Sequence, residues 1–243
     1  MECTTMGHID NEMLLGSTVL LDYDSSPLQR MIRAKHWDTL TTKTAVIHAV
    51  YTYVRDEIPY GFPESNRMPA SHVLEMGFGN CMSKSILLMA LLRALLIPCR
   101  FHADMVRKDL YRGLSKGLAY HSIPSYLHHA KVDILYNNRW IEVEGHIIDL
   151  PYLKKLQLKF PDYTGSFTGY GIAVLNFKNP PINWEEANTY IQNKAKEKDL
   201  GCFTDPDAFF NEHPEAERFT QGFIYTHLLH TTINKKIEAI RTN

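Results

Sequence analysis

The run Gly77-Phe78-Gly79-Asn80-Cys81, leading into Ser83 to Leu96, constrains this chain most. From Ser83 onward, apolar residues fall on almost every side of a helix, so the helix must be buried rather than lie on a surface. Ile97-Pro98 ends it, because proline cannot continue a helix. The two glycines suit a tight turn that brings backbone close to a ligand. Cys81 then stands at the first helical turn, where backbone N–H groups and the helix dipole favour a thiolate near neutral pH. Most free cysteines are simply small buried residues, and position alone leaves these two readings even.

A chain of 243 residues can build a large core without disulfide or metal staples, and it fits one domain. The net charge of -1 gives no reason to expect nucleic acid or an anionic membrane surface as partner. Cys3, Cys81, Cys99 and Cys202 lie far apart with no C-x-x-C pair, a pattern of reduced thiols and the cytoplasm. Met1 to Asn11 lacks a basic segment followed by an apolar run, so no secretory signal is expected. The apolar stretch Ile86 to Leu92 is cut at once by Arg93, which excludes a membrane span there. The expectation is a soluble cytoplasmic protein.

Residues 12 to 24 read as a strand, and Ser25-Ser26-Pro27 as a helix start. Helical spacing marks Thr41 to Glu57 and Ala70 to Met76, with a loop at Pro59, Gly61 and Pro63 between them. Cys99 to Val106 reads as a strand, and 107 to 125 as a long connection of the kind that often binds something. Beyond Leu150, Lys154 to Gln157 suggests a short helix and Gly165 to Gly171 a loop. Asn188 to Lys198 and Ala216 to Arg241 are expected to be helical, the last with a stripe of Phe219, Phe223, Leu228, Leu229, Ile233 and Ile237.

Residues 129 to 145 carry the clearest β signal, a hairpin about the turn Asn137-Asn138. With Tyr136 facing Arg139, His129 falls opposite His146, and Lys131 opposite Glu144. Ala130, Val132, Ile134, Ile141 and Val143 share a packing face; His129, Lys131, Asp133, Glu142 and Glu144 share the other. A nucleophilic thiol needs an imidazole within hydrogen-bond reach and an acceptor to orient it. Diagonal neighbours lie about 7–8 Å apart, so Glu144 can reach His129. Asp149 is the runner-up acid. His128 points to the apolar face and reads as a core or strand-end histidine. A solvated charged face accounts equally well for Lys131, Asp133 and Glu142.

Taken together, these segments resemble the transglutaminase-like superfamily, whose cysteine-enzyme core is papain-like. The resemblance is carried by Gly79-Asn80-Cys81, by Leu92-Arg93-Ala94 through Ile97-Pro98-Cys99-Arg100, by His129-Ala130, and by Trp140 four residues before Glu144. It is nearest to a bacterial branch described as transglutaminase-like cysteine proteases, through Val54 to Ile58, Ala70 to Leu74, Glu144 to Asp149, Thr189 to Gln192 and Asp205 to Phe210. Two positions depart from the superfamily pattern. Lys131 replaces a common Trp two residues after the His, and Glu144 replaces the usual Asp.

The resemblance implies an α+β fold, with a buried helix carrying Cys at its N-terminus packed on an antiparallel β-sheet. It implies a core over about 20–150, with 151–243 as a C-terminal elaboration of one domain. Cys81 is the implied nucleophile, His129 the general base and acid, and Glu144 the orienting carboxylate. Tyr60 or Asn80 would supply an oxyanion donor beside the Cys81 N–H. The implied activity is acyl transfer from an amide of a protein or peptide through a Cys thioester, with no cofactor and no metal. Water as acceptor gives a peptidase or amidase; an amine gives a transglutaminase. The rival readings are a catalytically inactive binding or scaffold protein and, further off, a zinc hydrolase drawing on His121, His128, His129 or His146. Substrate and oligomeric state are not legible.

Overall fold

A computed structural model of the chain describes residues 13–222 and 224–242. Cys3, the Met1 to Asn11 segment and Phe223, on which several expectations fall, lie outside the described residues. Helices α1 (Ser26–Ala34), α2 (Lys43–Asp56), α3 (Ala70–Met76) and α4 (Cys81–Ala94) come first, as the apolar periodicity predicts. Residues 12 to 24, expected as a strand, are turns from Met13 on, and Leu20 and Leu21 dip into the core. Strand β1 (Cys99–Arg107) leads through the short helix α5 (Gly117–His121) to β2 (Tyr126–Tyr136) and β3 (Arg139–Val143). Then come α6 (Leu150–Lys159), a ribbon of β4 (Phe167–Gly169) and β5 (Ile172–Val174), and β6 (Lys196–Phe203). The ribbon occupies the stretch expected as a glycine-rich loop. Helices α7 (Pro206–Glu212), α8 (Arg218–Gln221) and α9 (His230–Thr242) follow.

The expected helix over 188–198 is instead irregular chain followed by β6, which pairs with the free edge of β1. The main sheet is antiparallel in the order β3-β2-β1-β6. A charged Lys/Glu-rich segment suits an edge strand as well as a helix face, and the unpaired edge of β1 decides between them. The single helix expected over 216–241 is likewise divided, with a π-helical turn at Tyr225–Leu229 between α8 and α9. Ile233 and Ile237 of the expected stripe are buried.

Helix α4 is enclosed. Every residue from Met82 to Arg93 is buried, which its apolar circumference requires. On one side it packs with α2, α3 and the apolar sheet face of Phe101, Ala130, Val132 and Ile134. A second apolar cluster gathers α6, α9, the β4–β5 ribbon, Tyr60 and Phe62. Cys81 touches both clusters, so the tip of α4 lies at their junction.

The hairpin register is the expected one, with Tyr136 against Arg139 and Val132 against Val143. The ladder ends there. Glu144 donates its N–H to the Thr189 carbonyl at 3.1 Å, so it is not paired with Lys131, and His129 does not oppose His146. The polar sheet face is not solvated: His129, Lys131, Asp133 and Glu144 are each about 1% exposed. Cys81 and Cys99 are free thiols, whereas Cys202 is disulfide-bonded, so the expectation of reduced thiols does not extend to it. Among the described residues, no helix is long and apolar enough to cross a membrane.

Candidate active site

The turn before α4 is built by its glycines. Gly77 closes α3 in the left-handed region at φ 72°. A side chain at Gly79 would meet Ser83 Oγ at 2.5 Å, so only glycine lets the turn fold onto the helix. Asn80 caps α4: its carbonyl accepts from the N–H groups of Met82 at 3.0 Å and Ser83 at 3.2 Å, while its own N–H donates to Ser83 Oγ at 3.0 Å. Its amide donates to Asn66 Oδ1 at 2.8 Å. Asn80, a sequence candidate for oxyanion donor, is therefore occupied in holding the helix start. Cys81 is the first helical residue, so its N–H has no partner within the helix.

His129 lies on β2, across from Asp104 of β1. Its Nε2 is 2.8 Å from Glu144 Oε1. The other nitrogen, Nδ1, is buried and has no hydrogen-bonded oxygen or nitrogen partner. The Cys81 side chain lies close to this ring, and the two line the same small cavity. A cavity of about 10 Å³, large enough for roughly one water, lies where Cys81, His129, Tyr60, Tyr111 and Gln192 meet. Burial alone would push the imidazole down, but negative charge on Cys81, its hydrogen bond, and Glu144 outweigh burial and raise it to about 10. Burial likewise pushes Glu144 up, and His129 with the N–H groups of Gln192 and Ile191 brings it below the usual carboxylate range.

Glu144 is held from both sides. Oε2 accepts the backbone N–H groups of Ile191 at 2.7 Å, Gln192 at 2.9 Å and Asn193 at 3.0 Å. Thr189 Oγ1 accepts the N–H groups of Glu144 at 3.1 Å and Gly145 at 3.0 Å. The Thr189 to Gln192 run, quoted above only as part of a resemblance, thus forms the cradle of the acid. Nothing in local sequence tells that three amides far along the chain will converge on one carboxylate.

Asp149, the runner-up acid, does a different job. It accepts the Tyr60 N–H at 2.8 Å, caps α6 through the Tyr152 N–H at 2.9 Å, and pairs with Arg241 at 2.8 Å. Arg241 also donates to the Tyr60 carbonyl at 3.0 Å. Asp149 therefore fixes the Tyr60 loop, whose neighbour Gly61 donates to the Gly79 carbonyl at 2.9 Å. Burial pushes the Tyr60 phenol well up, so it stays a protonated donor beside Cys81. Tyr111, which the sequence did not single out, is shifted the same way by burial, with Cys81 contributing.

The four histidines of the zinc-hydrolase reading do not converge. His121 is exposed, with Nδ1 on the Gly117 carbonyl at 2.7 Å. His146 is fully buried, 3.1 Å from Ser85 Oγ, and burial pushes it well down. His128 and His129 leave opposite faces of β2.

Residues 31–145, the span that supplies Cys81, His129 and Glu144, match the family model described as the transglutaminase-like superfamily. Over that span the chain is similar to the transglutaminase-like superfamily. No curated protein matches the chain. Among solved structures, a "putative cysteine protease" from Cytophaga hutchinsonii is similar at 13% identity and a TM-score of 0.48, over 83% of this chain and 50% of that one. The chain thus spans about half the length of that protein. Lys131, which departs from the superfamily pattern, lies two residues after His129 on β2. It is bound to Glu142 at 2.7 Å and to Asp104 at 3.2 Å, so it is no loose cation near the base.

Proposed function

We propose that this protein is a thiol-dependent acyl-transfer enzyme acting on amide bonds, with Cys81 as nucleophile, His129 as base and acid, and Glu144 as the orienting carboxylate. The observation that carries the reading is the two-sided use of His129. One nitrogen is fixed on a carboxylate that is itself held by three amides, and the other is buried, free of oxygen and nitrogen partners, beside a thiol. His146 is as deeply buried and also leaves Nδ1 without a partner, so it is the carboxylate on one nitrogen together with the thiol beside the other that sets His129 apart.

The Cys81 thiolate attacks the amide carbonyl, and its proton rests on His129 Nδ1. The tetrahedral oxyanion faces the Cys81 N–H and the Tyr60 hydroxyl. His129 then protonates the departing amine, the C–N bond breaks, and a thioester remains. Water or a second amine, deprotonated by His129, resolves it and releases the thiol. Substrate enters by a cleft of about 580 Å³ that reaches Cys81 and is walled by Phe62, Tyr111, Leu127, Phe219 and Tyr225. That lining favours an apolar or aromatic group on the acyl side of the amide.

The test is to treat wild-type and Cys81→Ala proteins with a panel of peptide amides and activated esters, then map the acyl adduct by mass spectrometry. An adduct on Cys81, released by water or by an added amine, is expected. Equal turnover by the two proteins across the panel would instead favour the non-catalytic scaffold.

A further inference from the structure

On the wall of the same cleft, His128 and Glu215 stand beside His213. His128 comes from β2, next to the site histidine but on the opposite face. His213 follows α7, and Glu215 is in the short 3-10 turn after it. Their ligand atoms lie within 4.8 Å of one another. His213 Nδ1 is 3.0 Å from Glu215 Oε1, and His128 Nε2 is 3.7 Å from that same oxygen. Two imidazole nitrogens thus converge on one carboxylate oxygen, and only the first is at hydrogen-bond distance.

We propose that His128, His213 and Glu215 form a binding site for a divalent transition-metal ion of the zinc class on the cleft wall. In a tetrahedral site with bonds near 2.0–2.1 Å, ligand atoms are about 3.3 Å apart, and the two measured separations bracket that figure. Two neutral imidazoles and one carboxylate are a donor set that such ions take, with a position left open. Because His128 and Glu215 line the cleft, that position faces the cleft, where water or an oxygen of the cleft's occupant completes the shell.

The rings are set in place before any ion arrives. His128 rests on Phe209 at 6.0 Å between centroids, and His213 on Phe209 at 5.3 Å and Phe203 at 5.7 Å. Arg218 also lines the cleft.

The site stands apart from the thiol chemistry, and its test is designed to keep the two separate. Full-length Cys81→Ala protein, which cannot bind metal through the thiol, is titrated with Co²⁺ while the visible d–d absorption of tetrahedral cobalt is followed. One ion per chain is expected, with competition by Zn²⁺. Glu215→Gln, at a partly exposed position, and His128→Gln in the same background are expected to weaken binding beyond the roughly 10–100-fold typical of merely supporting residues. Their far-UV circular dichroism should match that of the parent. No cobalt bound at millimolar concentration, or equal binding by parent and Glu215→Gln, overturns the proposal.

Discussion

On the polar face of the sheet, Lys131 lies between Asp104 and Glu142, whereas His129, two residues earlier, has a carboxylate on one ring nitrogen only. The Lys131 region is closed. Arg100 pairs with Asp133 at 3.0 Å and stacks on Trp140 at 4.0 Å, and His102 sets one ring nitrogen on Asp133 and the other on Asp199. Lys196 completes it by pairing with Asp104 and Asp199, each at 2.8 Å. Lys131, Asp104 and Asp133 are as deeply buried as His129 and Glu144. What separates them is completion: one network satisfies its charges internally, and the other stops at a nitrogen facing a thiol and opens on a cleft. Buried charge by itself therefore does not mark a reactive site, because a fully paired network has no reason to react.

The largest effect expected from this contrast is on rate. Glu144→Gln should lower turnover by about 10³–10⁴-fold, as loss of an orienting carboxylate does in other triads, while Asp133→Asn should change it less than about 3-fold. The pH profile sharpens the point. With His129 raised to about 10, its protonated form, and the stability it contributes, is fully present below about 6.5 and is lost as pH rises through 10. Removing the carboxylate's charge should move that alkaline limb to lower pH. An unmoved limb in Glu144→Gln would break the assignment.

A smaller effect is expected on stability. Lys131→Met removes one partner from a buried pair and should cost on the order of 2–3 kcal/mol in urea denaturation, since Lys196 still partners Asp104. The rate per folded molecule should stay within about 3-fold of wild type. A rate loss as large as that of Glu144→Gln would erase the distinction between the two regions.

The smallest effect concerns a second buried lysine. Lys84, one turn along α4, donates to the Arg55 carbonyl at 3.0 Å and has no carboxylate in hydrogen-bond contact. Burial lowers it to about 7, opposite in direction to Lys131, where Asp104 and Glu142 outweigh burial and raise it. Between pH 7 and about 10.4 the unfolded chain binds the extra proton, so stability rises with pH over that window. Lys84→Met should therefore stabilise the protein at pH 6, by about 1–3 kcal/mol, and the gain should shrink toward pH 10. Equal shifts in Tm at both pH values would contradict the assignment.

Much of the scaffold was open to reading from local pattern. The continuous apolar circumference of α4 required burial, the proline after it set its end, and alternation about Asn137-Asn138 gave the β2–β3 register as far as Val132 and Val143. Those features depend on near neighbours in the chain, whose spacing is governed by helix and strand geometry. The pairing of Cys81, His129 and Glu144 was named from motifs, but whether Glu144 or Asp149 would meet the ring was not, because both follow the hairpin closely. Only the tertiary structure decided it, by ending β3 at Val143 and turning Glu144 onto three amides of residues 191–193, while Arg241 drew Asp149 to the Tyr60 loop. The strand β6 and the burial of Lys131 were settled the same way. Sequence fixes which faces are apolar, but which edge is free and which charges meet across it depend on chain segments brought together only by folding.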